Sequence, residues 1–335
     1  MLTFILFPLS LSTALSADPS LVPNIFIPES TPAHSINHVS LLVLAITGGI
    51  FAVVFSLIAY VTIRFRRRPD DNGTEPPQVY GSNPVETAWT TVPLLIVVVL
   101  VLSTARAIHE VQDAPMPPSA VDVQVVGHQW WWEIRYPKLG IVTANELHVP
   151  VSDPQKRMPT FIELRSADVV HSFWVPRLAG KTDLIPNRVN NMWIEPMRTG
   201  LFLGQCAKYC GTEHAKMLLR VYVHTPEDFD HWVKAQQALA AGDPVVAAGR
   251  LVFERTACIN CHSLGKTVGD GRFGPDLTHL MSRDTIAAGA AENSPENLRA
   301  WIKNPNQFKP GALMPAMNLT DAELDRLVDY LVTLQ

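Results

Sequence analysis

Gly204-Gln205-Cys206-Ala207-Lys208-Tyr209-Cys210-Gly211-Thr212-Glu213-His214-Ala215-Lys216-Met217 gathers two thiols, an imidazole and a thioether into one short segment. Such a donor set selects a soft metal, copper first, because polarizable sulfur matches that ion and a weak thioether can sit axially. The spacing of Cys206, Cys210, His214 and Met217 would also place all four on one helix face. Gly204, Gly211 and the strand-like Leu201-Phe202-Leu203 point instead to a loop that follows a strand. In an exported domain Cys206 and Cys210 could equally pair as a disulfide. Neither a helix stripe nor a disulfide accounts for His214 and Met217.

Outward from this loop the sequence reads as short strands. Val121-Asp122-Val123-Gln124-Val125 and Leu219-Arg220-Val221-Tyr222-Val223 alternate with period two, and Phe161-Ile162-Glu163-Leu164 does so approximately. They predict a small all-β domain of sandwich or barrel type. Within it lies His171, in Asp168-Val169-Val170-His171-Ser172-Phe173-Trp174. Alone it reads as a hydrogen-bonded core histidine; beside a sulfur-rich loop it is a candidate second imidazole. Gly127-His128-Gln129-Trp130-Trp131-Trp132 would send three tryptophans to both faces of a strand. Core packing explains one or two of them, and a third facing outward implies a contact surface.

A helix is predicted from Thr225 to about Ala241, carrying Phe229, Trp232 and Val233, with Gly242-Asp243-Pro244 as its breaker. Beyond it, Cys258-Ile259-Asn260-Cys261-His262 has the form of a c-type haem attachment sequence: two thiols for the vinyl groups and an adjacent imidazole for the iron. Cys-x-x-Cys also serves thioredoxin-like and zinc sites, but the chain's four cysteines leave no second pair for zinc here. A helical lead, Ala247 to Arg255, precedes the motif, and Gly274-Pro275-Asp276-Leu277 follows it. In Lys309-Pro310-Gly311-Ala312-Leu313-Met314-Pro315, Met314 is the candidate for the open face of the iron, with Met317 as its competitor. His279 reads as a surface or propionate-side residue. A capped helix is expected from Thr320, with Glu323 in the capping-box position.

The chain has 335 residues, enough for two or three domains, and its hydrophobic fraction of 47% is high for a protein wholly in water. A net charge of -4 predicts no nucleic-acid partner. Residues 1–17 have the apolar centre and small-residue end of a signal peptide, cleaved near Ser16 or Ala17, although no Lys or Arg precedes the apolar run. Pro19, Pro23, Pro28 and Pro32 predict an extended lead-in. Two apolar runs, about His38 to Ile63 and about Val85 to Ile108, are long enough to cross a bilayer, which makes membrane lipid a partner. Arg64, Arg66, Arg67 and Arg68 open the loop between them, while residues 1–63 contain no Lys or Arg, so this loop is expected on the cytoplasmic side and the rest outside. Glu86 sits at the cytoplasmic mouth of the second run, either as an end residue or as part of a proton path. Pro115, Pro117 and Pro118 form the joint to the β domain.

In this order the motifs resemble the cytochrome c oxidase subunit II family, of the bacterial kind with a cytochrome c fused at the C-terminus. The resemblance runs from about residue 36 to 335 and includes Gly127 to Trp130, Val170 to Pro176, Lys181 to Arg188 and the Cys206 to Met217 loop. It implies a multidomain membrane protein: a transmembrane helical hairpin at 36–110, a cupredoxin-like Greek-key barrel at 118–225, a helix and linker at 226–243, and an all-α class I cytochrome c domain at 244–335. It implies a dinuclear copper centre, CuA, bridged by Cys206 and Cys210, with His171 and Met217 on one copper and His214 and the main-chain carbonyl of Lys208 on the other. One covalently attached haem c on Cys258, Cys261, His262 and Met314 follows from the same resemblance. Electrons would enter near Trp130, Glu86 would mark a proton-channel mouth, and Asp183 with Arg188 would face subunit I. The resemblance names subunit I, other oxidase subunits, and a cytochrome bc complex or soluble cytochrome c as partners, in a bacterial inner membrane with the copper and haem domains outside. Position 208 is usually Glu in this family and helps to bind magnesium at the subunit I contact. Lys208 cannot ligate a cation while charged, which puts that magnesium in doubt. A nitric oxide reductase subunit would use the same redox sites. A copper-delivery protein has no use for a haem, and a quinol-oxidising relative has none for the copper ligands.

Overall fold

The computed structural model describes residues 22–335 apart from 68, 70–72, 74, 76, 114–119, 153–156, 239–245 and 266–270. The signal peptide, Pro19, Arg68, the joint at Pro115, Pro117 and Pro118, and the breaker Gly242-Asp243-Pro244 lie outside the described residues.

Two long helices open the chain, α1 (Thr31–Arg64) and α2 (Asn83–Gln112). Each extends past its apolar run, because Pro32 and Pro84 sit in the first turns, where a missing N–H costs nothing. Leu44, Phe51, Val54 and Leu57 on α1, and Leu94, Val97 and Val101 on α2, are all exposed, an arrangement suited to lipid or to a neighbouring membrane subunit. Glu86 lies in the first turn of α2, where its Oε1 accepts the Ser82 N–H at 3.0 Å.

The hairpin is fixed to the β domain at its outer end. Thr31 Oγ1 donates to Glu195 at 2.5 Å, Trp193 Nε1 donates to the Val111 carbonyl at 2.6 Å, and Arg177 Nη2 donates to Glu29 at 2.9 Å. Burial by itself would raise the Glu195 carboxyl. Hydrogen bonds from Arg157, Thr31 and Ser152, with the charge of Arg157, outweigh it and hold the group below its ordinary 4.5.

The β domain is a sandwich of two five-stranded sheets. One is ordered β3 (Ile141–Ala144), β2 (Trp131–Tyr136), β1 (Val121–His128), β5 (Thr160–Ser166) and β8 (Asn190–Ile194). The other is ordered β4 (Glu146–Pro150), β10 (Leu218–His224), β9 (Gly200–Cys206), β6 (His171–Trp174) and β7 (Thr182–Leu184). Parallel pairing of β1 with β5 and of β10 with β4, amid antiparallel neighbours, gives the cupredoxin-like architecture. The alternation in Leu218–His224 is realised as strict inward and outward alternation of side chains. Trp132, Ile134, Tyr136, Leu147, Leu164 and Phe173 fill the space between the sheets. The helix expected from Thr225 closes at Gln237 (α3, Pro226–Gln237), capped by the Thr225 hydroxyl. It packs Trp232 against Tyr136 and His148.

The C-terminal domain is helical: α4 (Ala247–Arg255), α5 (Cys258–Cys261), α6 (Pro295–Lys303) and α7 (Asp321–Leu331), with a short ribbon of β11 (Thr285–Ile286) and β12 (Ala291–Glu292). Thr320 and Glu323 form the full capping box at the start of α7. Helices α4 and α7 cross at Gly249, where a Cβ would stand 1.9 Å from the Arg326 carbonyl oxygen. This is the class of helical cytochrome c domain that the motifs imply.

Candidate metal centre and haem pocket

Strand ends build the first site. Strands β6 and β9 are antiparallel neighbours with Phe173 opposite Cys206, so His171 at the start of β6 and Cys206 at the end of β9 lie at the same edge of the sheet. Gly204 belongs to β9, and the loop begins only after Cys206. Backbone bonds from Ala207 N to Ser172 O at 2.9 Å and from Cys206 N to Met217 O at 3.0 Å close the loop back on the sheet. His214–Lys216 forms a single 3-10 turn leading into β10.

The donors expected for copper converge. The Sγ atoms of Cys206 and Cys210 are 3.8 Å apart as free thiols, with Cys210 Sγ 3.6 Å from His214 Nδ1 and 3.8 Å from Met217 Sδ. The Lys208 carbonyl oxygen lies 3.2 Å from Cys206 Sγ. Ligand atoms of His171, Cys206 and Cys210 all fall within 4.8 Å of one another. The decisive atom is His171 Nδ1, which is buried without a hydrogen-bond partner. Its ring is oriented from the far side, because Nε2 meets Asp168 Oδ1 at 2.8 Å. A buried imidazole with one nitrogen anchored and the other aimed at two thiols fits a soft metal ion. The hydrogen bond between them holds the Cys206 thiol below its ordinary value and pushes the Cys210 thiol above it. Burial opposes the charge on Asp168, but its bonds from His171 and from the Val169 and Gln129 N–H groups hold its carboxyl low.

Glycines make room for this arrangement. A Cβ on Gly127 would lie 2.8 Å from His171 Cδ2, and one on Gly204 would lie 2.6 Å from the Trp174 carbonyl oxygen. Trp130 stands in the turn between β1 and β2, and its Nε1 donates to the Cys210 carbonyl at 3.1 Å, beside Gln129 Nε2 at 2.7 Å. The outward face expected of the tryptophan triplet is a contact within the chain: Trp131 packs on Ala288 of the C-terminal domain.

The second site is a cavity of about 470 Å³ lined by Cys258, Cys261, His262, Phe253, Met314 and Met317 among others. His262 Nδ1 lies 2.8 Å from the Pro275 carbonyl oxygen, which fixes Nδ1 as the protonated nitrogen and leaves the Nε2 lone pair free for a metal. Burial lowers the His262 pKa and favours that neutral ligand form. Gly274 is needed beside it, since a Cβ there would stand 2.4 Å from His262 Cε1. The cavity, the two thiols and the poised imidazole fit a haem. Met314 and Met317 both reach the cavity wall. His279 differs from its surface or propionate-side expectation: it is buried, with Nδ1 2.8 Å from the Gln335 carbonyl, and it does not line the cavity. The chain terminus folds back over it, a contact that no local pattern reveals.

Sequence reading missed Asp168, Gly127, Glu146, Arg283 and Lys309. Asp168 lies three residues before His171, the one local signal available. Lys208 Nζ lies 3.7 Å from Asp183 Oδ2, so this side chain meets a carboxylate of the segment expected to face subunit I.

Comparison with known proteins assigns each of the three regions to a known domain family. The family model for the periplasmic domain of cytochrome C oxidase subunit II matches residues 121–223, the model for its transmembrane domain matches 24–105, and the cytochrome c model matches 246–335. Cytochrome c oxidase subunit 2 of Alkalihalophilus pseudofirmus is 35% identical over 290 residues, covering 84% of this chain and 82% of that one. The Bacillus subtilis protein of the same name is 32% identical, covering 81% of this chain and 80% of that one. Quinol oxidase subunit 2 of Bacillus cereus is 30% identical but covers 57% of this chain and 65% of that one.

Proposed function

Since the chain belongs to the cytochrome c oxidase subunit II family, an oxidoreductase component of haem-copper oxidases, we propose that it relays electrons from a c-type haem through CuA to subunit I, where oxygen is reduced and protons are moved. The observation that carries this reading is the unpartnered, buried Nδ1 of His171 aimed at the Cys206 and Cys210 pair. Copper and haem supply reversible one-electron chemistry when bound.

The chain's own residues hold and shield those groups. Cys206, Cys210, His171, His214 and Met217 would hold the copper, and Lys208 would offer its carbonyl. His171, Cys206, Cys210 and Met217 are all buried, which suits electron transfer. Cys258 and Cys261 would attach the haem, and His262 with Met314, in preference to Met317, would ligate its iron. Trp130, bonded to the Cys210 carbonyl, is the proposed entry point to copper. Glu86 is proposed at a proton-channel mouth, and Asp183 with Arg188 at the subunit I contact. The Lys208 ammonium beside Asp183 takes over the charge that a magnesium ion would bring, so no magnesium is expected through this subunit. Both redox domains stand on the outer face of a bacterial inner membrane, reached by a cytochrome bc complex or a soluble cytochrome c.

The test is purification of the complex with visible and EPR spectra and oxygen-uptake assays. A c-haem spectrum, a mixed-valence dinuclear copper signal and a copurifying oxygen-reducing subunit are expected. Absence of both spectral signals would sink the relay, and a copurifying nitric oxide reductase would replace its acceptor. Met314→Leu is expected to abolish the sixth-ligand absorption of the haem while Met317→Leu leaves it; the reverse result exchanges the two assignments.

A further inference from the structure

The seam between the β domain and the haem-bearing domain is lined with buried charges of opposite sign. Glu146 (1% exposed) and Glu213 (5%) come from the β domain, and Arg283 (7%) and Lys309 (4%) from the haem-bearing one. The Glu146 carboxylate accepts the N–H groups of Asp284 and Thr285 and the Thr285 hydroxyl, each at 3.0 Å. Arg283 donates to Thr143 Oγ1 across the seam at 3.3 Å and to the Asp276 carbonyl at 2.6 Å. Lys309 Nζ donates to the Trp130 carbonyl at 2.8 Å, and the Glu213 carboxylate acts on it through space. Backbone joins backbone as well, since Leu218 N–H donates to the Ala288 carbonyl at 3.1 Å.

A flexible tether alone would require none of these contacts. Dehydrating a charged group is costly unless an opposite charge and hydrogen bonds compensate it, and complementary charge fixes register more than it adds affinity. Undocked, all four groups would recover water. Docked, Arg283 acts through space on Glu146 and Glu213 on Lys309, while the hydrogen bonds of Glu146, Arg283 and Lys309 reach across the seam. Lys309 also stands in the segment that carries Met314 and Met317, and its acceptor, Trp130, is bonded to Cys210. A line of direct contacts therefore runs from the haem loop to the copper loop.

We infer that the haem-bearing domain is latched onto the β domain as one fixed unit, with Lys309 and Glu146 as positioning residues that hold the haem pocket against Trp130. The use of the latch in electron transfer rests on the relay reading above; its existence does not.

The test uses the whole chain in its assembled complex: native, Lys309→Met, Lys309→Arg, Glu146→Gln, and a form with the 239–245 connection lengthened by about ten Gly and Ser residues. Amide hydrogen exchange at 218, 284 and 285 reads the seam itself. The haem-to-copper transfer rate after flash reduction, measured against solvent viscosity, reads its use. Native protein is expected to protect these amides and to transfer at a rate independent of viscosity, and the lengthened form is expected to match it. Lys309→Met is expected to exchange about tenfold faster and transfer about tenfold slower, with a new viscosity dependence, while Lys309→Arg stays nearer native. Glu146→Gln should shift in the same direction from the other side of the seam, which keeps the test open if Lys309→Met misfolds. Unprotected native amides, a transfer rate that falls as the connection lengthens, or variants matching native exchange would overturn the latch. A protected seam with no haem-to-copper transfer would count against the relay and leave the latch standing.

Discussion

At the residue scale, the proposed ligand His171 depends on neighbours that are not ligands. Asp168 holds His171 through Nε2, so Asp168→Asn removes the charge that orients the ring. A loss of about tenfold to a hundredfold in copper affinity is expected, measured by competition with a chelator. Gly127 works by being small. Gly127→Ala puts a methyl 2.8 Å from His171 Cδ2, and reduced copper content with a lower melting temperature is expected. Lys208 separates two roles within one residue: its carbonyl faces Cys206 and its ammonium faces Asp183. Metal analysis of the complex should find no stoichiometric magnesium bound through this subunit, and Lys208→Glu should leave copper content unchanged.

At the scale of elements, two junctions carry the architecture. Where α4 crosses α7, Gly249 lets the helices touch, and Gly249→Val would force them apart. A destabilisation of about 3 kcal/mol is expected for the haem-bearing domain, read from thermal loss of the haem absorption band. Where the hairpin enters the β domain, Glu195 ties Thr31 at the start of α1 to Ser152 and Arg157. Its carboxyl is held below 4.5, so the charged form is favoured by folding. The stability it contributes is present above that value and is lost as pH falls through the lowered one. Melting temperature should therefore drop on acidification from about pH 7 to about pH 3, and Glu195→Gln should flatten that part of the profile.

At the scale of the whole molecule, the copper site and the haem pocket are neighbours across a bonded seam, and Trp130 lies against the chain's own C-terminal domain. The seam charges are buried, so dissolved ions screen them poorly. Raising ionic strength from about 0.1 M to about 1 M, which shortens the screening length from about 10 Å to about 3 Å, should leave haem-to-copper transfer unchanged. Reduction of the haem by an external protein donor, which meets an exposed surface, should respond to the same change. Stopped-flow traces of the two steps separate these outcomes.

Much of this was legible before any fold was known, because the signals are local. The apolar runs of α1 and α2, the alternation in β10, the capping box of α7, and the donor types of Cys206 to Met217 and Cys258 to His262 are written in neighbouring residues. Chemistry restricts what such donors can bind. What only the tertiary structure decided are contacts between distant residues: the free Nδ1 of His171 among thiols of another strand, His279 under the chain terminus, Glu146 on Thr285, and Lys309 on Trp130. Periodicity places a charged residue such as Glu146 or Lys309 in water by default. Each is buried only because a second domain supplies the opposite charge and the hydrogen bonds, and that pairing exists only once both domains have folded and met.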